Sequence, residues 1–281
     1  MDKKRMTHML LLGIRQLRLP YYQGFAAQMA FYLMLSIIPI MIVLSQLLGL
    51  FSISLDTLSD LIDKYVSVEV ADVLKELIAH SSTGVMNIAF VAIALWSSSK
   101  AQFSMLRMAN YTITNGQSTG KGYFRDRLKA IRTIAFTLFT VTAALIILVY
   151  GEYIFKLILN HIYGTAGIEH EIDGFLLFLR WPAALTLYFL MVSYNYYSLP
   201  YNKVKFREIL PGSIFASIAM LVITLLYELY MEYVINFDII YGSLASAIAL
   251  MLWFFFLAWA LELGVLCNKA WEDTKRMENI G

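Results

Sequence analysis

The chain has 281 residues, 59% hydrophobic and only 15% charged, with a mean hydropathy of +0.65 and a net charge of +2. Soluble domains carry roughly 45–50% apolar and about 25% charged residues, so a water-soluble globule, a disordered chain and a collagen-like fibre are excluded. A lone cysteine, Cys267, excludes an intramolecular disulfide scaffold.

In chain order, the opening MDKKRMTHMLLLG lacks the apolar length and the small-residue cleavage site of a signal peptide. Residues 5–19 read instead as a basic amphipathic helix lying in the cytoplasmic interface. Pro20 and Gly24 then turn the chain into the membrane. Six stretches free of Asp, Glu, Lys and Arg follow, 37, 23, 19, 22, 19 and 23 residues long. A helix needs about 20 mostly apolar residues to cross a hydrocarbon core of about 30 Å. The spans fall near 26–50, 84–103, 132–156, 175–199, 210–234 and 240–266. Helices are required because each must satisfy its own backbone groups, and runs such as 138-LFTVTAALIILVY-150 lack the alternation of barrel strands. Between the first two spans, Leu55, Leu58, Leu61, Ile62 and Tyr65 recur at helical spacing, as do Val70, Val73, Leu74 and Leu77. Residues 52–83 are therefore read as an extracytoplasmic helical hairpin, resting on the surface or capping the bundle.

Charge sorts by segment. Segments 1–25, 100–132, 200–209 and 267–281 hold 18 of the 22 Lys and Arg, whereas the opposite connections and their flanking span ends gather 13 of the 20 acids. By the positive-inside rule, both termini are cytoplasmic. The expected fold is all-α: one polytopic six-transmembrane-helix bundle over 1–281, with an N-terminal interfacial helix within 1–25 and a cytoplasmic tail, 267–281. The expected location is a bacterial plasma (inner) membrane.

Within the spans, Pro39 kinks span one by freeing the carbonyl of Leu35. Span five opens with Pro211, suited to a first helical turn, and runs Gly212, Ala216, Ala219 along one side; span six opens with Tyr241, Gly242 and Ser243. These small residues predict close packing of spans five and six. Polar groups at membrane depth are costly unless paired or wet. Gln28, Tyr32, Trp96, Ser98, Lys100, Arg180, Asn195, Glu262 and Asn268 are candidate members of a substrate pathway. For Ser97, Ser98 and Ser99 the alternative is bonding within their own helix; for Arg180 it is snorkelling to water; for Glu262 it is an ion pair with Lys269 or Lys100 near the inner boundary. Lys121, Arg125, Arg127, Lys129 and Arg132 flank span three and are expected to contact anionic lipid rather than nucleic acid. His8, His80, His161 and His170 stand at no metal-ligand spacing, and no phosphate loop, dinucleotide turn or nucleophile elbow occurs. No catalytic residue, metal or cofactor is expected.

The stretch 199-LPYNKVKFREILPGSIFA-216 resembles the YihY/BrkB family's Leu-Pro-Asn, basic stretch and Leu-Pro-Gly-Ala, with Pro200 in place. The run 240-IYGSLASAIALMLWFFF-256 resembles its Tyr-Gly-Ser-Leu segment. Further matches are 27-AQMAFYLMLSIIPI-40 and 95-LWSSSKAQFSMLRMANYT-112. Tyr201 separates Pro200 from Asn202 where the family has Pro-Asn adjacent, and Lys100 stands where many relatives have Arg. Glu262 lies one turn before the position of the family's glutamate. The resemblance, over about residues 10–270, implies an inner-membrane protein, some of whose relatives bear the old label ribonuclease BN. It also implies links to envelope lipid export. Transport of a lipid, lipid-linked or anionic envelope solute leads the functional readings. A membrane scaffold or assembly protein and a membrane-bound hydrolase are the alternatives. Expected partners are membrane lipids, with a homo-oligomer or envelope proteins left open and no nucleic acid.

Overall fold

The structure is a computed structural model that describes residues 20–50, 85–140, 169–234 and 243–278, with residues 7, 11, 13, 15, 18 and 19 before them. Every regular element among the described residues is helical. The expected hairpin at 52–83, the outer half of span three, Tyr241 and Gly242 lie outside them.

A short helix α1, Pro20–Gln23, carries Pro20 in its first turn, and Gly24 passes the chain into α2, Phe25–Leu50, which continues through Pro39. Helix α3 is Val85–Ile113, followed by α4 over 123–140. Helices α5, Glu169–Ser198, α6, Phe206–Val234, and α7, Ser243–Glu278, complete the order. Described residues 7, 11, 13 and 15 are also helical. Helix α2 pairs with α3, α7 lies against both α2 and α6, and α5 packs on α6. Among the described residues, α6 over Phe206–Tyr230 and α7 over Ala247–Lys275 are long and apolar enough to cross a membrane. At 1.5 Å per residue, 25 residues reach about 38 Å.

Five boundaries differ from expectation: α4 opens at 123 rather than 132, α5 at Glu169 rather than 175, and three more lie at the end read as cytoplasmic. Helix α3 runs to Ile113 rather than 103, and α7 to Glu278 rather than 266. Charged residues end an apolar stretch but do not end a helix; a cap does. For α3 the cap is Asn115 and Gly116, both at positive φ (52° and 84°), with Gly116 N–H donating to Tyr111 O at 2.8 Å. Helix α6 starts at Phe206, because the Glu208 carboxylate accepts the Lys205 N–H at 3.0 Å in a capping-box arrangement. Pro211 therefore sits inside α6, past its first turn, rather than opening it. Its missing N–H leaves the Arg207 carbonyl without its helical donor.

The core gathers Tyr22, Phe25, Ala26 and Met29 against Met105, Leu106 and Met108 on one side. On the other lie Tyr196, Ala216, Leu261 and Val265. Phe31, Ile93, Phe139, Leu190, Ile218, Leu226 and Trp259 point outward, an apolar exterior on every long helix. Such a surface is stable against hydrocarbon and not against water.

Candidate functional site

The polar side chains concentrate where α3, α4, α6 and α7 run past the apolar segments. At the α6–α7 crossing the small residues let the backbones meet. A Cβ on Gly212 would lie 2.0 Å from Gly264 O, and one on Gly264 would lie 2.1 Å from the Tyr196 hydroxyl. Neither position admits a side chain. Gly212 N–H, one residue past Pro211, donates to Asn268 Oδ1 at 2.6 Å, and the buried Tyr196 hydroxyl donates to Leu261 O at 2.7 Å. The expected close packing of these two helices is thus present, made through Gly264 and Asn268 in the described part of the interface.

Glu262, on the adjoining face of α7, is 1% exposed, and neither carboxyl oxygen has a hydrogen-bond partner among the described residues. Of the two cations expected to meet it, Lys269 is buried and bonded to Asp273 at 2.8 Å instead. No ion pair joins Glu262 to Lys100 among the described residues. Leaving a buried polar group unpaired costs several kcal/mol, by order of magnitude, and a charged one more. Near it, the Tyr22 hydroxyl is bonded to Thr112 Oγ1 at 2.8 Å. Burial pushes the Tyr22 phenol up to about 12; the Thr112 bond opposes the shift, and Tyr111 and the Glu262 charge add to it.

A second buried charge has the opposite sign. Arg127, in the second turn of α4, is 4% exposed and turned toward α3. Its guanidinium donates to Trp96 O and lies 4.6 Å from the Trp96 ring centroid and 5.7 Å from that of Phe103. Its Nε has no acceptor among the described residues. Burial lowers the Arg127 pKa, with Tyr123 and Tyr32 acting the other way.

A polar knot ties the loops together below these charges. Asn110 accepts the Tyr201 N–H at 2.9 Å, and Lys129 donates to Pro200 O at 2.8 Å. Lys129 and Lys121 lie 4.1 and 5.0 Å from the Tyr201 ring centroid. Buried Asp126 accepts Lys121 N–H at 2.9 Å, and a Cβ on Gly120 would strike its carboxylate. Burial, then Asp126, raises the Tyr201 phenol to about 12, while burial, then Arg132 and Lys121, lowers the Lys129 pKa. A cavity of about 30 Å³ lies beside the knot, lined by Ala109, Tyr196, Pro200, Glu208, Asn268 and Glu272 among others. It has room for about one or two waters.

Of the residues read as a pathway, Tyr32 and Trp96 both come near Arg127, a member of the expected lipid-contact set, and Asn268 joins the α6–α7 seam. Gln28 is exposed on the outer face of α2. Ser98 and Ser99 are buried and bond to carbonyls of their own helix, at Leu95 and Trp96. Asn195 is buried, its amide donating to Met191 O at 2.7 Å and its Oδ1 unpaired among the described residues. The side chains of Arg180 and Ser243 lie outside the described residues, although both positions are helical. Arg125 and Arg132 are exposed, as is Lys121. Among the described residues, no three of His, Cys, Asp and Glu gather as a metal site. The roles of Arg127, Tyr201 and Asn110 went unread in sequence, since each depends on a partner 31 to 91 positions away.

A family model described as virulence factor BrkB matches residues 15–279. A ribonuclease-like protein of Bacillus subtilis, YfkH, is 25% identical over 260 residues, covering 91% of this chain and 92% of that protein. A UPF0761 membrane protein of Psychromonas ingrahamii is 24% identical over 274 residues, covering 94% of this chain and 87% of its own. Another from Chromohalobacter salexigens is 30% identical over 110 residues, 39% of this chain and 26% of that protein. No solved structure matches the chain significantly.

Proposed function

The chain belongs to the virulence factor BrkB family of membrane proteins, and from that premise we propose that it is a six-span transporter or flippase. Its cargo in this reading is a lipid, lipid-linked or anionic envelope solute. Both termini are cytoplasmic and the membrane is the bacterial inner one. The sorting of 18 of 22 basic residues to one set of segments supports that orientation.

The observation that carries the reading is Glu262. An ionisable side chain at membrane depth is retained where it meets a partner that comes and goes, such as a proton, a cation or a group of the cargo. Glu262 is 1% exposed with neither oxygen bonded among the described residues, and the nearby ammonium of Lys269 is committed to Asp273. Among the described residues Glu262 is enclosed, and the cavity beside the polar knot is of water size. Transport then requires α7 to move against α2 and α6, exposing Glu262 in turn.

Glu262→Cys in a Cys267→Ser background tests this in sealed vesicles. A small water-soluble thiol reagent labels position 262 in the reading proposed, and cargo changes the labelling rate. A cysteine at 262 that no reagent reaches from either side, with or without phospholipid or anionic solutes, overturns it.

A further inference from the structure

We infer that α3 and α4 form a docking slot for the headgroup of an anionic phospholipid drawn from the cytoplasmic leaflet. Trp96, Lys100, Phe103 and Arg107 follow at spacings of four, three and four, and so share one face of α3. Arg127 reaches that face from α4. Its guanidinium and that of Arg107 lie 5.7 and 5.8 Å from the Phe103 ring centroid, so two arginines share one aromatic ring.

The face has the wrong charge balance to be complete by itself. Lys100, Arg107 and Arg127 make no ion pair among the described residues, and Asp126, beside Arg127 in sequence, is spent on the Lys121 N–H. Arg127 is 96% covered, yet its Nε has no acceptor there. What is missing is an anion with several acceptor oxygens, which is the chemistry of a phosphodiester.

The rim argues for a lipid as its source. Trp96 is 46% exposed, and Tyr123, Phe124 and Leu128 around Arg127 are 56%, 82% and 71% exposed. Cations flanked by outward aromatic and aliphatic side chains, at the end of a span read as cytoplasmic, suit a headgroup above and acyl chains beside it. This inference deepens the lipid arm of the proposed function but is read by binding alone.

The test is native mass spectrometry of the full chain in detergent with phosphatidylglycerol or phosphatidylcholine, and with inorganic phosphate as competitor. Phosphatidylglycerol is retained preferentially. Arg127→Gln and Arg107→Gln each lower its retention by about fivefold or more, the effect of about 1 kcal/mol per basic residue at a membrane surface. Lys203→Gln and Lys275→Gln, on exposed cations outside α3 and α4, change it less than about twofold. Arg107 is exposed, so its variant reads the slot even if Arg127→Gln impairs folding. Equal losses in all four variants, no loss in Arg107→Gln, or displacement by inorganic phosphate overturns the inference. Failure of the transport reading looks different: phosphatidylglycerol stays bound but is not moved.

Discussion

Asn268 shows how a proline in one helix is answered by a side chain in another. Gly212 N–H, just past Pro211, donates to Asn268 Oδ1. Asn268→Ala removes that acceptor in an apolar crossing and should cost about 1–3 kcal/mol, whereas Asn268→Asp keeps an acceptor in place. Thermal unfolding in detergent checks the order: wild type, then Asp, then Ala. A second residue-scale prediction concerns Tyr201, whose phenol is held near 12 by burial and by Asp126. With an unfolded value of about 10, the folded state holds this proton more tightly. The associated stabilisation is present below pH about 10 and lost as pH rises from there to about 12. Phenolate absorbance in an alkaline titration should lose one late-ionising group in Tyr201→Phe and shift it toward 10 in Asp126→Asn. Tyr201 was visible in sequence only as a residue intruding between Pro200 and Asn202; what it packs against was not.

At the scale of the element, the apolar stretches marked the helices well and their ends poorly. Gaps between charges locate what must be buried, but α3 continues past Lys100 and Arg107 until Asn115 and Gly116 cap it. The capping signal was in the sequence as Asn-Gly, yet the charge count hid it. The α6–α7 crossing was legible on the α6 side, through Gly212 and Ala216. Its described partner is Gly264; the Gly242 end that small-residue spacing favoured lies outside the described residues. Gly264→Ala and Gly212→Ala should each destabilise by about 1–3 kcal/mol through overpacking. Gly24→Ala is the contrast, since a Cβ there meets nothing within 4 Å, and it should change stability by less than about 0.5 kcal/mol. Chemical denaturation of the three variants side by side separates close approach from mere glycine content.

Over the whole molecule, composition and charge asymmetry carried the membrane reading, because both are sums over many residues and tolerate local error. The candidate site was less legible. Glu262 stood out as a charge at depth, but whether Lys269 met it depended on a choice between two acids, and Asp273 holds that lysine one turn on. Arg127 looked like its four basic neighbours, and only the placement of α4 against α3 buries it. If six spans and the proposed orientation hold, tags at both ends are reached by antibody only after the inner membrane of spheroplasts is permeabilised. A tag at either end reached in intact spheroplasts contradicts an even number of crossings or the orientation.

Translocation in proteoliposomes, using fluorescent phosphatidylglycerol quenched from the outside, bears most directly on the central claim that this bundle moves an envelope lipid or anionic solute past Glu262. Wild-type vesicles should lose more than the outer-leaflet half of the signal, and Glu262→Gln vesicles carrying equally folded protein should stop near half. Vesicles of both proteins stopping at the protein-free level, across phospholipids and anionic solutes alike, would contradict the account.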